Sequence, residues 1–236
     1  MRYQGYTLMS LLLSLSLSSL LLFTLVSFYS QSQYQNKTLL LRLQLQFELQ
    51  HVMQLIAKDL RRAGFRAFSE KTEKTNLHLF EADDGHSLQL FTLGKQNQFN
   101  CALFFYDLDM NGCVGEKFKG RSCVSKEHNN TQHIERELFG YRLNAGMIET
   151  RLTYKNGVNS RCSSSECSSY LQKHACEKGG WVDLLDKTVY HIHALRFNWL
   201  AEKQGVEVYL AGALKKSPIM TYEVSAVVPL LNSGEK

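Results

Sequence analysis

The chain has 236 residues and a formal net charge of +5, and 44% of its residues are hydrophobic. This composition is typical of a folded protein and excludes a disordered or low-complexity chain. The mild positive charge permits contact with nucleic acid or anionic lipid without singling out either, and a DNA contact has no further support in the sequence.

The N-terminal stretch from Tyr6 to Phe28 carries no charged side chain. A helix of this length, at about 1.5 Å per residue, crosses the roughly 30 Å hydrocarbon core of a bilayer. We therefore expect one membrane span over residues 6–29, with Arg2 and the rest of residues 1–5 in the cytoplasm. The apolar run is longer than that of a signal peptide and no Ala-x-Ala site follows it, which favours retention of the segment over its removal.

A short motif precedes the span, because Gly5 is followed by Tyr6, Thr7 and Leu8. This order resembles the class III leader of type IV prepilins and type II secretion pseudopilins. The resemblance implies that prepilin peptidase cleaves after Gly5 and methylates the new amino terminus at Tyr6. The chain departs from the family at the fifth mature position, where Ser10 stands in place of a Glu that pairs with a neighbouring subunit's amine in the membrane. A generic signal anchor is the alternative interpretation of the same residues.

Residues 30–64 are predicted to continue the helix beyond the membrane. Apolar side chains recur there at steps of three and four, as in an amphipathic helix; they are Leu45, Leu49, Val52, Met53, Ile56 and Leu60. Residues 39–49 also alternate with a period of two, as a half-buried strand would. Helix is favoured because Gln, Glu, Lys and Arg fill the gaps and no Gly or Pro interrupts the run before Gly64. If the span and this stripe are continuous, one helix of about 59 residues and roughly 88 Å results.

The predicted helix ends in the segment KDLRRAGF, residues 58–65. This segment resembles the PilW-like minor pilins, the prepilin-peptidase-dependent protein B group and pseudopilin J of type II secretion. The resemblance implies a pilin-like fold. It also implies several partners, namely prepilin peptidase, an inner-membrane assembly platform, the major pilin and other minor pilins or pseudopilins. Only the first 65 residues carry specific motifs of this resemblance.

After Gly64, short apolar runs alternate with turn residues, which indicates strands. The predicted strands are 87–93, 100–106, 139–143, 148–154, 190–199, 206–214 and 221–230. Asn144-Ala145-Gly146 and the segment 202–205 each join two of them, which predicts two hairpins. One long N-terminal helix followed by strands predicts an α+β, pilin-like fold, in which residues 65–236 form a periplasmic domain with an antiparallel sheet on the helix.

The segment from Asp107 to Gly112 has the spacing of a calcium-binding loop. Asp107 and Asp109 are carboxylates at positions 1 and 3, Asn111 supplies an amide oxygen at position 5, and Gly112 permits a sharp turn. Position 12 is not a Glu, so Glu116 would have to complete the ligand set in a shortened loop. An ordinary turn after a strand is the alternative, because turns favour the same residue types.

Six cysteines lie after the span, namely Cys101, Cys113, Cys123, Cys162, Cys167 and Cys176. In an exported protein they predict disulfides in an oxidising compartment such as the periplasm. Because they form two clusters of three, full oxidation requires at least one bridge between the clusters. Zinc is the alternative, but only Cys162 and Cys167 approach a ligand spacing, and no third ligand accompanies His191 and His193.

No enzyme motif is present, since the sequence has no nucleophile elbow, P-loop, His-Glu-x-x-His or dinucleotide fingerprint. We expect no enzymatic activity and no cofactor other than the calcium candidate, and we interpret the Ser-rich run from Ser163 to Ser169 as a loop. The leading hypothesis is an inner-membrane minor pilin or pseudopilin that initiates or tips a type IV pilus or similar filament. Such filaments serve competence DNA uptake, adhesion, motility or type II secretion. The competing hypothesis is a single-pass, membrane-anchored periplasmic binding protein whose domain holds calcium or another ligand.

Overall fold

The computed structural model describes residues 7–67, 75–82, 85–94, 97–151, 158–178 and 180–232. Gly5, Tyr6 and the end of the strand predicted over 148–154 lie outside these residues. The helices are α1 (Leu8–Arg62), α2 (Ser164–Ser169) and α3 (Lys173–Glu177). The strands are β1 (Leu88–Phe91), β2 (Cys101–Phe105), β3 (Val124–Ser125), β4 (His128–Asn129), β5 (Leu138–Asn144), β6 (Met147–Arg151), β7 (Trp181–Asp183), β8 (Tyr190–Trp199), β9 (Gly205–Leu214) and β10 (Ser217–Pro229). The predicted α+β class is confirmed.

Helix α1 is long and apolar enough to cross a membrane, with a mean hydropathy of 2.2 over its most apolar window, which fits a membrane anchor. It is helical throughout residues 39–49, so the alternative of a strand there is wrong. Contacts within the chain define two units, Met1–Gln46 and Phe47–Lys236, and the division falls inside α1.

In the first unit, several hydroxyl side chains of the apolar run bond to carbonyls of their own helix; they are Ser10, Ser14, Ser16, Ser19 and Thr24. The hydroxyl of Ser10 donates to the carbonyl of Thr7 at 2.8 Å, and the hydroxyl of Ser14 donates to the carbonyl of Leu11 at 2.9 Å. Such internal bonds lower the cost of placing a hydroxyl in hydrocarbon, where no water is available as a partner. The serines are therefore compatible with a membrane span.

The second unit contains the three sheets. One sheet has the strand order β1-β2-β5-β6-β7, another has the order β10-β9-β8, and β3 pairs with β4, every pairing being antiparallel. The predicted hairpins are confirmed as β5–β6 and β8–β9. The first turns through Ala145 and Gly146, whose φ angles are 48° and 76°. Positive φ at both central residues is the geometry that tight hairpins require, and it explains the glycine.

Within the second unit, α1 buries the stripe that the sequence predicts. Leu49, Val52, Ile56 and Leu60 are at most 4% exposed. The helix ends just before Gly64, which has a φ of +74° and donates its N–H to the carbonyl of Phe105 at 2.8 Å. A glycine in this left-handed conformation is a common helix terminator, so Gly64 correctly predicted the end of the helix from the sequence.

Strand β2 is the centre of this unit because all five of its residues are buried. On one side, Phe104 stacks on Tyr141, and the hydroxyl of Tyr141 donates to Asp59 of α1 at 2.5 Å. The residues of the opposite side, Cys101, Leu103 and Phe105, belong to a separate apolar cluster with residues of α2 and α3. The strand thus contributes to two cores, one on each of its faces.

The interpretation of Ser163 to Ser169 as a loop is wrong, because Ser164–Ser169 forms α2. Four serines favour a loop on intrinsic propensity. The backbone N–H of Ser163 nevertheless donates to the carboxylate of Glu166 at 2.9 Å, as in a capping box. Cys167 on this short helix is fully buried, so tertiary packing also holds it in place.

All six cysteines are oxidised, as the sequence predicts. The bridges join Cys101 to Cys176, Cys113 to Cys123 and Cys162 to Cys167, with sequence separations of 75, 10 and 5 residues. The first of these is the bridge between the two clusters. It ties β2 to α3, whereas the other two close short local loops.

We predict unequal contributions from these bridges to stability. In the chain-entropy account, a bridge across 75 residues contributes about 4 kcal/mol and one across 5 residues about 2 kcal/mol. The double variant Cys101→Ala/Cys176→Ala should therefore lose more free energy of unfolding than Cys162→Ala/Cys167→Ala. All four cysteines are fully buried, so the two double variants create cavities of similar size and the comparison isolates the effect of the bridges. Denaturant titration of the full chain in nonionic detergent measures the difference, and equal losses would contradict the prediction.

Candidate functional site

The loop after β2 is organised by the carboxylate of Asp107, which is 2% exposed. Its Oδ2 accepts the backbone N–H groups of Ala67 and Gly112 at 2.9 and 2.8 Å, and its Oδ1 accepts that of Asn111 at 3.0 Å. These bonds fold the loop around one acidic group and connect it to the segment that follows α1. The segment singled out by the sequence is therefore a well-formed turn.

A second buried carboxylate, Glu137, faces the same loop from the residue before β5. Its Oε1 accepts the N–H groups of Leu108 and Asp109 at 2.7 and 3.1 Å, and its Oε2 accepts that of Gly115 at 2.6 Å. Sequence reasoning missed Glu137 because it lies far beyond the loop in the chain. The available signal was an acidic residue directly before an apolar strand.

Asp107, Asp109 and Glu137 each place a carboxylate oxygen within 4.8 Å of the others. The side-chain amide of Asn111 donates to Asp109 at 2.7 Å. Glu116 does not join this group, because its Oε2 lies 3.8 Å from a guanidinium nitrogen of Arg136 in an exposed ion pair. The structure thus brings together Asp107, Asp109 and Asn111 of the predicted calcium ligands and puts Glu137 in the place expected for Glu116.

The electrostatics of the cluster follow from its burial. Burial raises the pKa of Glu137 to about 7, although the N–H groups of Gly115, Asp109 and Leu108 oppose the shift. Burial also raises the pKa of Asp107, against the N–H groups of Ala67, Gly112 and Asn111. Since the folded-state pKa of Glu137 lies above its unfolded value, its contribution to stability is fully present below about pH 4.5 and is lost as the pH rises through 7.

The chemistry of the cluster admits a hard cation but does not depend on one. Carboxylate and amide oxygens are the ligands that calcium prefers, and a divalent ion would offset the repulsion among three acidic groups. Every carboxylate oxygen of Asp107 and Glu137, however, already accepts at least one backbone N–H. The loop can therefore fold as a turn without a metal, and calcium binding stays a prediction.

His191 and His193 lie close together on β8, with ring centroids 4.9 Å apart, and both are exposed. A β-bulge between Ile192 and Ala194 puts His193 outside the regular pairing with β9. Among the described residues, the only group of three or more potential metal ligands is Asp107, Asp109 and Glu137. The two histidines thus have no third ligand there.

Comparison with known proteins identifies the family. Residues 38–230 match the family model "Prepilin peptidase-dependent protein B". The chain belongs to this family. The prepilin-peptidase-dependent group predicted from the sequence is therefore confirmed, and the protein is pilus-related. The matched region includes the acidic cluster and all three disulfides, and it begins after the uncharged run from Tyr6 to Phe28.

A curated relative from Haemophilus influenzae (strain ATCC 51907 / DSM 11121 / KW20 / Rd), described as an uncharacterized protein, is 46% identical to this family member over 196 residues. The alignment covers 82% of each chain. No solved structure matches this chain.

We predict that calcium, if it binds, acts through Asp109 and Glu137 and not through Glu116. A ligand that binds only the folded state stabilises it by about 2.7 kcal/mol at 100 times its dissociation constant. Millimolar calcium should then raise the melting midpoint of the full chain in nonionic detergent relative to chelator. Asp109→Asn should abolish the shift and Glu116→Gln should preserve it. An identical melting midpoint with calcium and with chelator would show that the segment is an ordinary turn that binds no calcium.

Proposed function

We propose that this chain is a minor pilin or pseudopilin, a structural subunit of a type IV pilus or pilus-like filament. In this proposal residues 6–29 anchor it in the inner membrane, residues 1–5 lie in the cytoplasm and the disulfide-bonded domain lies in the periplasm. The observation that carries the proposal is the family match over residues 38–230 on a chain whose N-terminal helix is apolar enough to span a bilayer. No enzymatic activity is assigned to it.

Membership of a prepilin-peptidase-dependent family supports a relationship with prepilin peptidase. We extend this to cleavage after Gly5, methylation of Tyr6 and assembly with the major pilin and other minor pilins through an inner-membrane platform. The likeness to pseudopilin J belongs to the same proposal. The filament in this proposal is a type IV pilus or the pilus-like filament of a competence or type II secretion system.

Processing of the amino terminus tests this proposal directly. The mature protein should begin with N-methylated Tyr6, because the leader motif places the cleavage after Gly5. Intact-mass measurement of protein extracted from membranes tests this, with a strain lacking prepilin peptidase as the control, in which residues 1–5 should remain. A mature chain that begins at Met1 or near Gln31 would refute the pilin proposal.

The absence of a carboxylate at Ser10 bears on the position of the subunit in the filament. A charged group in hydrocarbon is costly unless it is paired, and in the family a Glu at this position pairs with the amine of a neighbouring subunit. The hydroxyl of Ser10 is already bonded to the carbonyl of Thr7 and carries no charge. The subunit therefore lacks an attraction worth several kcal/mol at low dielectric. We propose that it acts in an initiating or tip complex, where few copies suffice and contacts between globular domains supply specificity.

We predict that deletion of the protein abolishes filament assembly and that its copy number stays far below that of the major pilin. Ser10→Glu should increase its incorporation by restoring the charged partner. Ser14→Glu is the matched control, because Ser14 makes the same type of internal bond one turn later but does not occupy the family's position. Quantitative mass spectrometry of purified filaments measures both. Normal filaments without the protein, or a regular stoichiometry along the shaft, would contradict the proposed position.

A further inference from the structure

A basic loop with an aromatic residue at its centre follows the acidic loop in the chain. The bridge between Cys113 and Cys123 closes this loop, which contains Lys117, Phe118, Lys119 and Arg121. Lys119 and Arg121 are exposed, and Phe118 is partly buried. The guanidinium carbon of Arg121 lies 5.2 Å from the centroid of the Phe118 ring. The loop therefore holds cations next to an aromatic surface.

Phe118 also lines a cleft of about 450 Å³. Arg161 and the amide side chains of Asn130, Gln132 and Asn159 line the same cleft. Its volume lies within the range of roughly 300 to 1,000 Å³ that small-molecule sites occupy. The cleft thus combines an aromatic ring, a guanidinium group and several groups that can both donate and accept hydrogen bonds.

The floor of this cleft is preformed. Asn129, which is buried and precedes the lining residue Asn130, donates its backbone N–H to the carbonyl of Cys162 at 2.9 Å and its side-chain amide to the carbonyl of Ser160 at 2.7 Å. The buried hydroxyl of Thr131 donates to the carbonyl of Val114 at 2.6 Å. These bonds join three segments of the chain that two disulfides also constrain. A site on such a support needs little ordering when a ligand binds.

The charge around the cleft is unbalanced. Glu135 also lines the cleft, 3.1 Å from His133, and the exposed Glu116 is paired with Arg136. Within the part of the chain that the structure describes, Lys119, Arg121 and Arg161 have no carboxylate within 4 Å of their charged groups, so cations outnumber acidic groups at this surface. Cations without an acidic partner attract anions, and guanidinium groups bind phosphate especially well. The surface is therefore suited to an anionic ligand.

We propose that this cleft binds single-stranded nucleic acid, with Phe118 as a stacking surface and Lys119, Arg121 and Arg161 as phosphate contacts. Proteins that bind single strands combine a basic groove with aromatic side chains on which bases stack, and these are the two features found here. The amides can bond the edges of a base. An anionic polysaccharide would also bind the cations, but it has no base to stack on the ring. This role goes beyond that of a filament subunit, which requires no ligand.

Fluorescence anisotropy with a labelled oligothymidylate tests the proposal on the full chain in nonionic detergent, without any filament. Three phosphate contacts predict that the logarithm of the association constant falls with the logarithm of salt concentration with a slope of roughly −2. Phe118→Leu should weaken binding about 5- to 100-fold by removing the stacking face, and Phe118→Trp should retain it. Failure of this assay leaves the proposed filament function untouched.

The charge contribution needs a matched control. Lys119→Gln/Arg121→Gln should weaken binding and make the salt slope shallower by roughly 1.4. Lys215→Gln/Lys216→Gln removes two exposed charges from the β9–β10 turn and should leave binding unchanged. Melting midpoints establish that each variant is folded. Absence of binding at 50 mM salt, or an equal loss in the control, would overturn the proposal. Tight heparin binding together with oligothymidylate binding that is insensitive to Phe118→Leu would point to an anionic polysaccharide instead.

Discussion

The second unit depends on the burial of β2 on both faces. The apolar face of α1 and the apolar cluster around the disulfide-linked loops both have to be buried, and each packs on a different face of β2. Strand β2 can bury both surfaces because its consecutive side chains point to opposite faces. Phe104 contributes to the core with α1, and Phe105 contributes to the core with the loops. Each fully buried Phe contributes on the order of 1.5 to 3 kcal/mol. Such a strand reads as a continuous apolar run without alternation.

The end of β2 connects this core to the two candidate sites. Asp107 and Glu137 accept six backbone N–H groups between them and so fix the path of the chain into the Cys113–Cys123 loop. Gly115 belongs to this arrangement, because its φ is +87° and an added Cβ would lie 2.6 Å from the carbonyl oxygen of Gln132. Two buried carboxylates are a costly way to build a turn, and their backbone partners offset part of that cost.

The two units of the chain suit different tasks. The first is an apolar helix whose hydroxyls bond internally, and it fits a membrane anchor. The second carries the disulfides, the acidic cluster and the basic cleft, and the family match covers almost all of it. The family places the chain in a prepilin-peptidase-dependent, pilus-related group. In the filament role proposed above, a subunit with Ser10 in place of a carboxylate would rely on its second unit for specific contacts.

The sequence alone determined the features that depend on local patterns. These are the uncharged run, the helical stripe that ends at Gly64, the hairpin turn at Gly146 and the need for a bridge between the cysteine clusters. Only the tertiary structure paired Cys101 with Cys176, brought Glu137 to the loop at Asp107 and assembled the cleft. The physical reason is sequence separation. Periodicity and turn chemistry act between neighbours in the chain, whereas these contacts join residues that meet only after the chain has folded around β2.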